Sequence, residues 1–420
     1  MKRYGKLTAL ILSSVMVFSA LSLTGCGKKD DSAATNGTNK TDTSKSGKDS
    51  IKIGVLTSKS GVLETWGTDE IRGIELGIEY ATNGTNEVNG QPIQLIIEDD
   101  TSTAGVAVQK AVKLLEQDKV HMITGGISSG NALAVMEKAA AAKVPYIIES
   151  AATDAITGKN FNPYTFRVGR SFRQVTMAGG AYLNKVGKTF YVLAPDNVAG
   201  KDFATAWKTD IEAGGGKVVG EAYAPIDSTD FTSYLTKIKD AKPDVLVMVI
   251  VGDNFTSKLP LQIQELGINK TCKLAADIAD IPFLKAVGKA GEGLMGPVIY
   301  YNNIFDNKEN KWFVEKYKEK YKDVPDLFAS SGFTGGIAIV EGLKKAGGSL
   351  RGDDLVKAFE GLKFNSVKGE YYIRPQDHQA MQPIPVVELK KIDKSYVEPN
   401  LLELVPREKL EPPITAPGRK

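Results

Sequence analysis

Residues 120–148 read VHMITGGISSGNALAVMEKAAAAKVPYII, and this stretch decides the fold. It begins with a short apolar run at 120–123 and ends with another at 146–148. Between the two runs, a turn rich in glycine and serine leads into residues 131–142, which we predict to be a helix. Two apolar strands joined through a helix are typical of a βαβ unit, whose strands lie parallel. The stretch therefore predicts an α/β fold.

The same alternation of strand and helix extends in both directions along the chain. The other predicted strands are 51–56, 93–97, 190–193, one from 218, 245–251, 272–275, 298–300, 371–373 and 384–389. The other predicted helices are 70–81, 104–117, 172–186, 203–213, 231–238, 259–266, 311–321, 335–346 and 353–361. This rhythm predicts doubly wound parallel sheets with helices on both faces. A chain of 420 residues has the length of two such lobes.

Two open α/β sheets in one chain create a cleft between them. Small molecules bind such sheets beyond the carboxyl ends of the strands, where loops meet the first turns of helices. The loops that we expect to line the cleft are 57–66, 125–131, 149–153, 194–200, 251–254 and 276–280.

The N-terminus carries a separate signal. Three basic residues lie within the first six positions, and an apolar run at 7–23 ends just ahead of Cys26. This pattern resembles a bacterial lipoprotein signal peptide, in which the cysteine is acylated, for example with palmitate, and becomes the new N-terminus. We predict a signal peptide at 1–25 and lipidation at Cys26. An uncleaved membrane anchor or an ordinary secretory signal is the alternative.

Residues 26–50 would then connect the lipid to the folded part. From 27 to 50 the chain has no aromatic or branched aliphatic residue, so it cannot bury enough apolar surface to fold. We expect a disordered tether that holds the protein outside the cytoplasm on the cell membrane, with acyl chains as the anchor.

Charge and composition exclude several classes of function. The chain has 53 basic and 50 acidic residues, and the signal peptide removes three basic residues and no acidic one. The mature chain is therefore close to neutral, which gives no support for nucleic-acid binding. If Cys26 is lipidated, Cys272 has no partner for an intrachain disulfide, and we expect it to be a small buried strand residue. Two histidines and one internal cysteine predict no transition-metal site.

Several short motifs together resemble one family. They are Ile53-Gly54-Val55 with Ser60-Gly61 and Gly67, Glu98-Asp99-Asp100, Ser128-Ser129, Val144-Pro145 with Ser150-Ala151-Ala152-Thr153, Phe166-Arg167 and Asp230-Phe231. Their order and spacing from 51 to about 389 resemble the solute-binding proteins of branched-chain-amino-acid-type ABC transporters, the leucine/isoleucine/valine-binding-protein-like family. The run IRPQDHQ at 373–379 is similar to a subgroup whose members often take aromatic or other organic acids.

The resemblance implies the type I periplasmic-binding fold, with two lobes joined by a three-segment hinge. The boundaries it implies are 51–171 plus 301–379 for the first lobe, 172–300 plus 380–405 for the second and 406–420 for a C-terminal tail. The hinge segments would lie near Ser171, Tyr301 and Ala380. It also implies a monomer that captures a ligand between the lobes and delivers it to the transmembrane permease subunits of an ABC importer.

The resemblance places the ligand's carboxylate on two loops of the first lobe. The matching positions are Ser128, Ser129, Ala151 and Thr153. Backbone N–H groups at a helix start, together with hydroxyl donors, can bind an anion without a lysine. The alternative is that the serines only cap the helix that follows them.

Four further residues are candidates for ligand contact. Trp66 matches an aromatic position of the family's site, or else fills the surface or the core. Arg170 could hold a carboxylate in a bidentate pair or form an ion pair at the hinge. Asp253 and Asp277 could contact the ligand or cap their loops.

The second lobe departs from the family where an amino acid would be held. Ala199 occupies the place of one tyrosine, and residues 251–254 lack another. Asp277 matches only loosely the acidic residue that holds an α-ammonium group. Smaller side chains leave room for a larger ligand, so aromatic or aliphatic carboxylates are the leading class and amino acids the next.

Two other classes of function remain open. Residues 126–130 read GISSG, which matches the nucleophile elbow of a serine hydrolase with Ser128 as nucleophile, although His121 and His378 are poorly placed to complete a triad. A tethered sensor without a transport role is the other alternative. Residues 291–296 read GEGLMG, but they follow a predicted helix and precede a strand, so we predict no nucleotide cofactor. We expect no enzymatic activity.

Overall fold

The computed structural model describes residues 49–250, 253–278, 280–391 and 397–419, without the side chains of Val198, Asp253 and Lys391. The predicted signal peptide, Cys26 and nearly all of the predicted tether lie outside these residues. Within the described ranges, no helix combines the length and the apolar character that crossing a bilayer requires.

The first sheet is formed by the N-terminal part of the chain. Its strands are β1 (Ile51–Thr57), β2 (Glu87–Val88), β3 (Gln91–Asp99), β4 (Met122–Gly125), β5 (Tyr146–Ile148) and β6 (Thr165–Arg167). Their order is β2-β3-β1-β4-β5-β6, and all neighbours are parallel except β2 and β3. The helices of this part are α1 (Glu64–Ala81), α2 (Ala104–Val112), which continues as a π-helical turn, and α3 (Ser129–Ala141).

The next part of the chain builds a second sheet. Its strands are β7 (Thr189–Pro195), β8 (Lys217–Ala224), β9 (Val245–Met248), β10 (Lys273–Ala276) and β11 (Met295–Pro297). Its helices are α4 (Phe172–Val186), α5 (Val198–Ala213), α6 (Thr232–Ala241), α7 (Asp253–Ser257), α8 (Leu259–Glu265) and α9 (Ile281–Val287). The last of these strands lies three residues before the predicted 298–300, because Val298 already turns away after a single bridge to Ile278.

The remaining chain contributes helices beside the first sheet, two strands to the second sheet and a small third sheet of its own. The elements are α10 (Lys308–Tyr321), α11 (Leu327–Lys345), α12 (Gly352–Phe359), β12 (Lys363–Ser366), β13 (Gly369–Ile373), β14 (Ala380–Met381), β15 (Ile384–Lys391) and β16 (Val397–Val405). The three helices pack on the core of the first sheet, while β15 and β16 extend the second sheet to the order β16-β15-β11-β10-β9-β7-β8. Two sheets dominated by parallel pairs, with helices between their strands, confirm the predicted fold class.

Three passages connect the parts that hold the two sheets. The first follows β6, the second follows β11, and the third follows β14. Because β14 pairs with β13 in a small antiparallel sheet, the chain reaches the second sheet only at Ile384. We call the part around the first sheet lobe 1 and the part around the second sheet lobe 2.

Helices α1 and α11 approach each other so closely that glycine is required between them. A Cβ atom on Gly73 would lie 2.0 Å from the carbonyl oxygen of Ala329, and one on Gly332 would lie 2.1 Å from that of Glu70. Real Cβ atoms do not approach backbone oxygens so closely. This contact fixes the first turns of α1, which border the cleft, against α11.

We predict that Gly332→Ala destabilises the protein by about 3 kcal/mol, because the added methyl group forces two packed backbones apart. Urea unfolding would measure the change. Gly105→Ala is the matched control: this exposed glycine of α2 has open space around its Cβ position, so the substitution should stabilise by about 0.5–1 kcal/mol. Equal unfolding free energies for Gly332→Ala and the wild type would contradict the close packing of α1 and α11.

Candidate ligand-binding cleft

A buried carboxyl group ties together the ends of two strands of lobe 1. The hydroxyl of Thr57, at the end of β1, donates to Glu70 Oε2 at 2.7 Å, and the hydroxyl of Ser150, just after β5, donates to Glu70 Oε1 at 2.6 Å. The Glu70 side chain is inaccessible to solvent, and this burial raises its pKa to about 7 against the opposing effect of the two hydroxyls. A carboxyl group that bonds both strand ends holds the loops beyond them in place.

Two further carboxyl groups extend this support. Glu149 accepts a hydrogen bond from Gly125 N at 2.6 Å, and both burial and the nearby Glu70 raise the pKa of Glu149. Asp100 accepts hydrogen bonds from Ser58 Oγ at 2.6 Å and Asn131 Nδ2 at 2.8 Å. The loops after β1, β3, β4 and β5 are therefore linked by side chains that lie beneath the cleft.

The structure brings the four predicted carboxylate-binding residues of lobe 1 close together. Ser129 Oγ accepts a hydrogen bond from Thr153 N at 3.4 Å, and Ala151 N donates to Gly126 O at 2.9 Å. Ser128 is the N-cap of α3, and its Oγ accepts from Asn131 N at 3.4 Å. The helix start and two hydroxyls thus face the same loop, an arrangement that can hold a small anion.

Trp66 lies on the first turn of α1, whereas the sequence had suggested a loop. The helix begins at Glu64 rather than at residue 70, because Gly67 lets the chain pass against the Ser58 carbonyl while already helical. The indole stacks on Phe328 at a centroid distance of 4.7 Å and an angle of 19°, and it remains 36% exposed. It also interacts with the carboxyl of Asp280, beyond β10, and so reaches from lobe 1 to lobe 2.

Phe328, which packs under the Trp66 indole, is a candidate site residue that the sequence interpretation missed. The helix that contains it begins at Leu327, eight residues before the predicted start at 335. The available signal was Asp326, which caps α11 by accepting hydrogen bonds from Phe328 N and Ala329 N. An aspartate before an apolar run is a typical helix start.

Arg170 and Asp277 line a small cavity of about 60 Å³ between the lobes. The guanidinium of Arg170 donates to the carbonyl oxygen of Ser150, and its charge attracts that of Asp277. Burial lowers the pKa of Arg170 to about 10 and raises the pKa of Asp277 to about 7. Asp277 Oδ1 also accepts from Ile250 N at 3.3 Å, so it both supports its loop and faces the cavity.

Apolar side chains from both lobes surround this charged pair. Phe172 stacks on Phe203 at 4.6 Å, and both line the cavity together with Leu327 of lobe 1. Phe172 also borders a wider opening of about 380 Å³ that contains Thr153. The cleft thus joins an end rich in hydroxyl and amide groups, aromatic walls and a half-buried pair of opposite charges.

Asp253 begins the short helix α7. Its side chain lies outside the described atoms, so its proposed contact with a ligand stays a prediction. Cys272 lies half-buried just before β10 rather than within a strand, and burial raises the pKa of its thiol.

The arrangement around Ser128 does not resemble a hydrolase triad. His121 lies at the opposite end of β4, where its Nδ1 accepts from Lys52 N at 3.0 Å. His378 is buried, stacks on Phe166 and bonds Thr165 O and Glu360. Neither histidine forms a hydrogen bond with Ser128 in the part of the chain described. Among all the residues that the structure describes, no group of three or more His, Cys, Asp or Glu side chains is placed so that it could hold a metal ion.

Comparisons with known proteins agree with this architecture. Residues 50–394 match the family model described as periplasmic binding protein. A Leu/Ile/Val-binding protein homolog from Brucella suis is 25% identical over 353 residues, which cover 82% of this chain and 89% of that protein.

Solved structures of solute-binding proteins are also similar to this chain. An ABC-type branched-chain amino acid transporter protein from Rhodopseudomonas palustris CGA009 superposes with a TM-score of 0.81 at 29% identity, over 87% of this chain and 99% of that one. A solute-binding protein of an ABC transporter from Rhodopseudomonas palustris BisB5, in complex with 3,4-dihydroxybenzoic acid, gives a TM-score of 0.75 at 29% identity, over 85% and 98%. The chain belongs to the periplasmic binding protein family, as a solute-binding protein of the ABC-transporter type.

Proposed function

We propose that this protein captures a small organic carboxylate between its lobes and presents it to an ABC permease. Binding proteins of this family take small-molecule ligands outside the cytoplasm and work with permeases. The observation that carries the choice of ligand is the composition of the cleft. It places the hydroxyl groups of Ser128, Ser129 and Thr153 next to the backbone at Ala151, with aromatic walls beside them.

An aromatic carboxylate fits this composition best. The stacked pairs Trp66–Phe328 and Phe172–Phe203 offer flat apolar surfaces, which favour a planar ring through offset stacking. The related protein that was solved with 3,4-dihydroxybenzoic acid supports this class. Arg170 and Asp277 would then contact the polar end of the ligand that points away from the serine loops.

Binding requires no bond to be made or broken. A ligand that touches Thr153 of lobe 1 and Phe172 or Asp277 beside lobe 2 gains its full set of contacts only when the lobes are close. Such differential contact shifts the population toward the closed form, which a permease can recognise. We infer a monomer held at the membrane through Cys26, with no cofactor and no enzymatic activity.

We predict that Thr153→Val weakens the binding of benzoate and 4-hydroxybenzoate about tenfold, because a hydroxyl donor at the carboxylate end is lost. A thermal-shift titration measures this directly, since a ligand at a hundred times its Kd adds about 2.7 kcal/mol to stability. Thr236→Val, on the exposed face of α6 where the hydroxyl donates to Thr232 O, is the control and should bind as the wild type does. An unchanged affinity in Thr153→Val would remove this residue from the site.

The pH dependence of affinity separates carboxylates from amino acids. Because the pKa of Asp277 is about 7, this group becomes charged between pH 6 and pH 8. A benzoate ion is repelled by the charged form, so its affinity should fall several-fold over this range, and Asp277→Asn should abolish the fall. The ammonium group of leucine instead needs the charged form, so leucine affinity should rise with pH and be lost in Asp277→Asn.

Calorimetric titrations of both ligands at pH 6, 7 and 8 would make this comparison. Tight leucine binding that rises with pH would contradict our assignment and make amino acids the ligand class.

A further inference from the structure

A lysine lies buried where the three passages between the lobes meet. Lys368 is in the turn between β12 and β13 and is only 7% exposed. Its side-chain nitrogen donates to Gln382 Oε1, on the third passage. Gln382 Nε2 in turn donates to Val168 O, on the first passage, at 3.4 Å. Lys368 is thus connected through one amide to two passages of the hinge.

A small cavity beside Lys368 is lined by residues of all three passages. This cavity of about 10 Å³ is bordered by Gly169 of the first passage, Ile299 of the second and Gln382 of the third. Hydroxyl-bearing side chains of α11 and β13 close the other side, namely Ser330, Ser331, Thr334 and Tyr371. This volume suits at most one water molecule. Full hydration of the amine would therefore require the passages to move apart.

No described carboxylate forms an ion pair with Lys368, and Gln382 is its hydrogen-bond acceptor. An ammonium group has three N–H donors and is costly to bury without an opposite charge. Arg170 on the first passage acts on Lys368 through its charge, and Tyr371 on β13 lines the same cavity. Two further titratable groups belong to the adjoining elements: Tyr300 follows Ile299 on the second passage, and Glu149 packs on Gly335, next to Thr334 of α11.

These neighbours do not neutralise the lysine. Burial raises the pKa of Tyr300 and of Tyr371, so both phenols stay uncharged. Glu149 has its own donors in Thr124 and Gly125, and burial also raises its pKa. Burial, with a smaller effect of the Arg170 charge, lowers the pKa of Lys368 to about 7.

We propose that Lys368 is a proton-sensitive latch of the hinge: its neutral amine supports the lobe arrangement described here, and its protonation favours opening. The reason is solvation. The neutral amine is satisfied by Gln382 in a small space, whereas the ammonium needs water that enters only when the three passages separate. The lobe arrangement of this structure is therefore favoured as pH rises through neutrality, and a more open one is favoured as pH falls.

The latch can be tested without any ligand, so its failure is distinct from a failure of the proposed function. Spin labels would be attached at the exposed positions of K138C on lobe 1 and K239C on lobe 2, in a C272S background. We expect the interlobe distance distribution to shift toward longer distances between pH 8 and pH 6, with a several-fold change in the ratio of open to closed forms. In Lys368→Met the distribution should stay short at both pH values. The control Lys363→Met, at an exposed position of β12, should behave as the wild type.

A second measurement tests the burial of the amine. A lysine whose folded-state pKa is lowered destabilises the fold fully below that pKa, and the cost vanishes above the ordinary pKa of lysine. Lys368→Met should therefore raise Tm at pH 6, and the gain should disappear toward pH 10. Lys368→Gln, which does not titrate and keeps a polar group, replaces this variant if Met folds poorly. A pH-dependent distance shift that persists in both variants, or a Tm gain independent of pH, would overturn the proposal.

Discussion

The cleft depends on buried carboxyl groups that fasten the loops at one edge of the first sheet. Parallel strands present their carboxyl ends at a common edge, but nothing in the sheet itself fixes the loops that follow. Glu70 bonds the loops after β1 and β5 through Thr57 and Ser150, while Glu149 bonds the backbone at the end of β4. Because these groups are shielded from solvent, they keep their hydrogen bonds in one geometry and hold in place the surface on which we propose that the anion binds.

Lobe 2 contributes aromatic surfaces to the cleft, whereas lobe 1 contributes hydroxyl groups. Phe172 is the first residue of α4, and its backbone N–H donates to the carbonyl oxygen of Ala152 in lobe 1. Its aromatic ring therefore lies at the border of the two lobes. Phe203 stacks behind it from α5. This pair supplies apolar bulk near the place where the related family has a tyrosine and this chain has the exposed Ala199. This is why we propose that the cleft takes a ring in preference to a flexible aliphatic amino acid.

The sequence predicted most of the helices and parallel strands, because regular alternation of apolar runs and turns leaves few other folds. The sequence predicted poorly the shortest strands and the first residues of some helices. Strands of two or three residues such as β6 and β14 carry no periodicity, and their pairing depends on neighbours far away in the chain. The start of α1 was placed six residues late, since Gly67 suggests a break until its contact with Ser58 is known.

The site was predictable only in part, for the same reason. Loop positions after strands could be recognised, so Ser128, Thr153 and Asp277 are candidates from the sequence, and their contact with a ligand stays a prediction. The buried lysine could not be predicted, since Lys368 lies in an ordinary turn and resembles a surface residue in the sequence. Burial of an ionisable side chain is a property of tertiary packing, and the hinge is where three distant parts of the chain converge on it.

The most direct test of a ligand held between the lobes is hydrogen exchange with and without the carboxylate that stabilises the protein most among benzoate, 4-hydroxybenzoate, leucine and isoleucine. The account predicts simultaneous protection of backbone amides around Ser129 and Thr153 in lobe 1 and around Phe172 and Asp277 on the opposite side. Protection limited to one lobe, or located away from these loops, would contradict it.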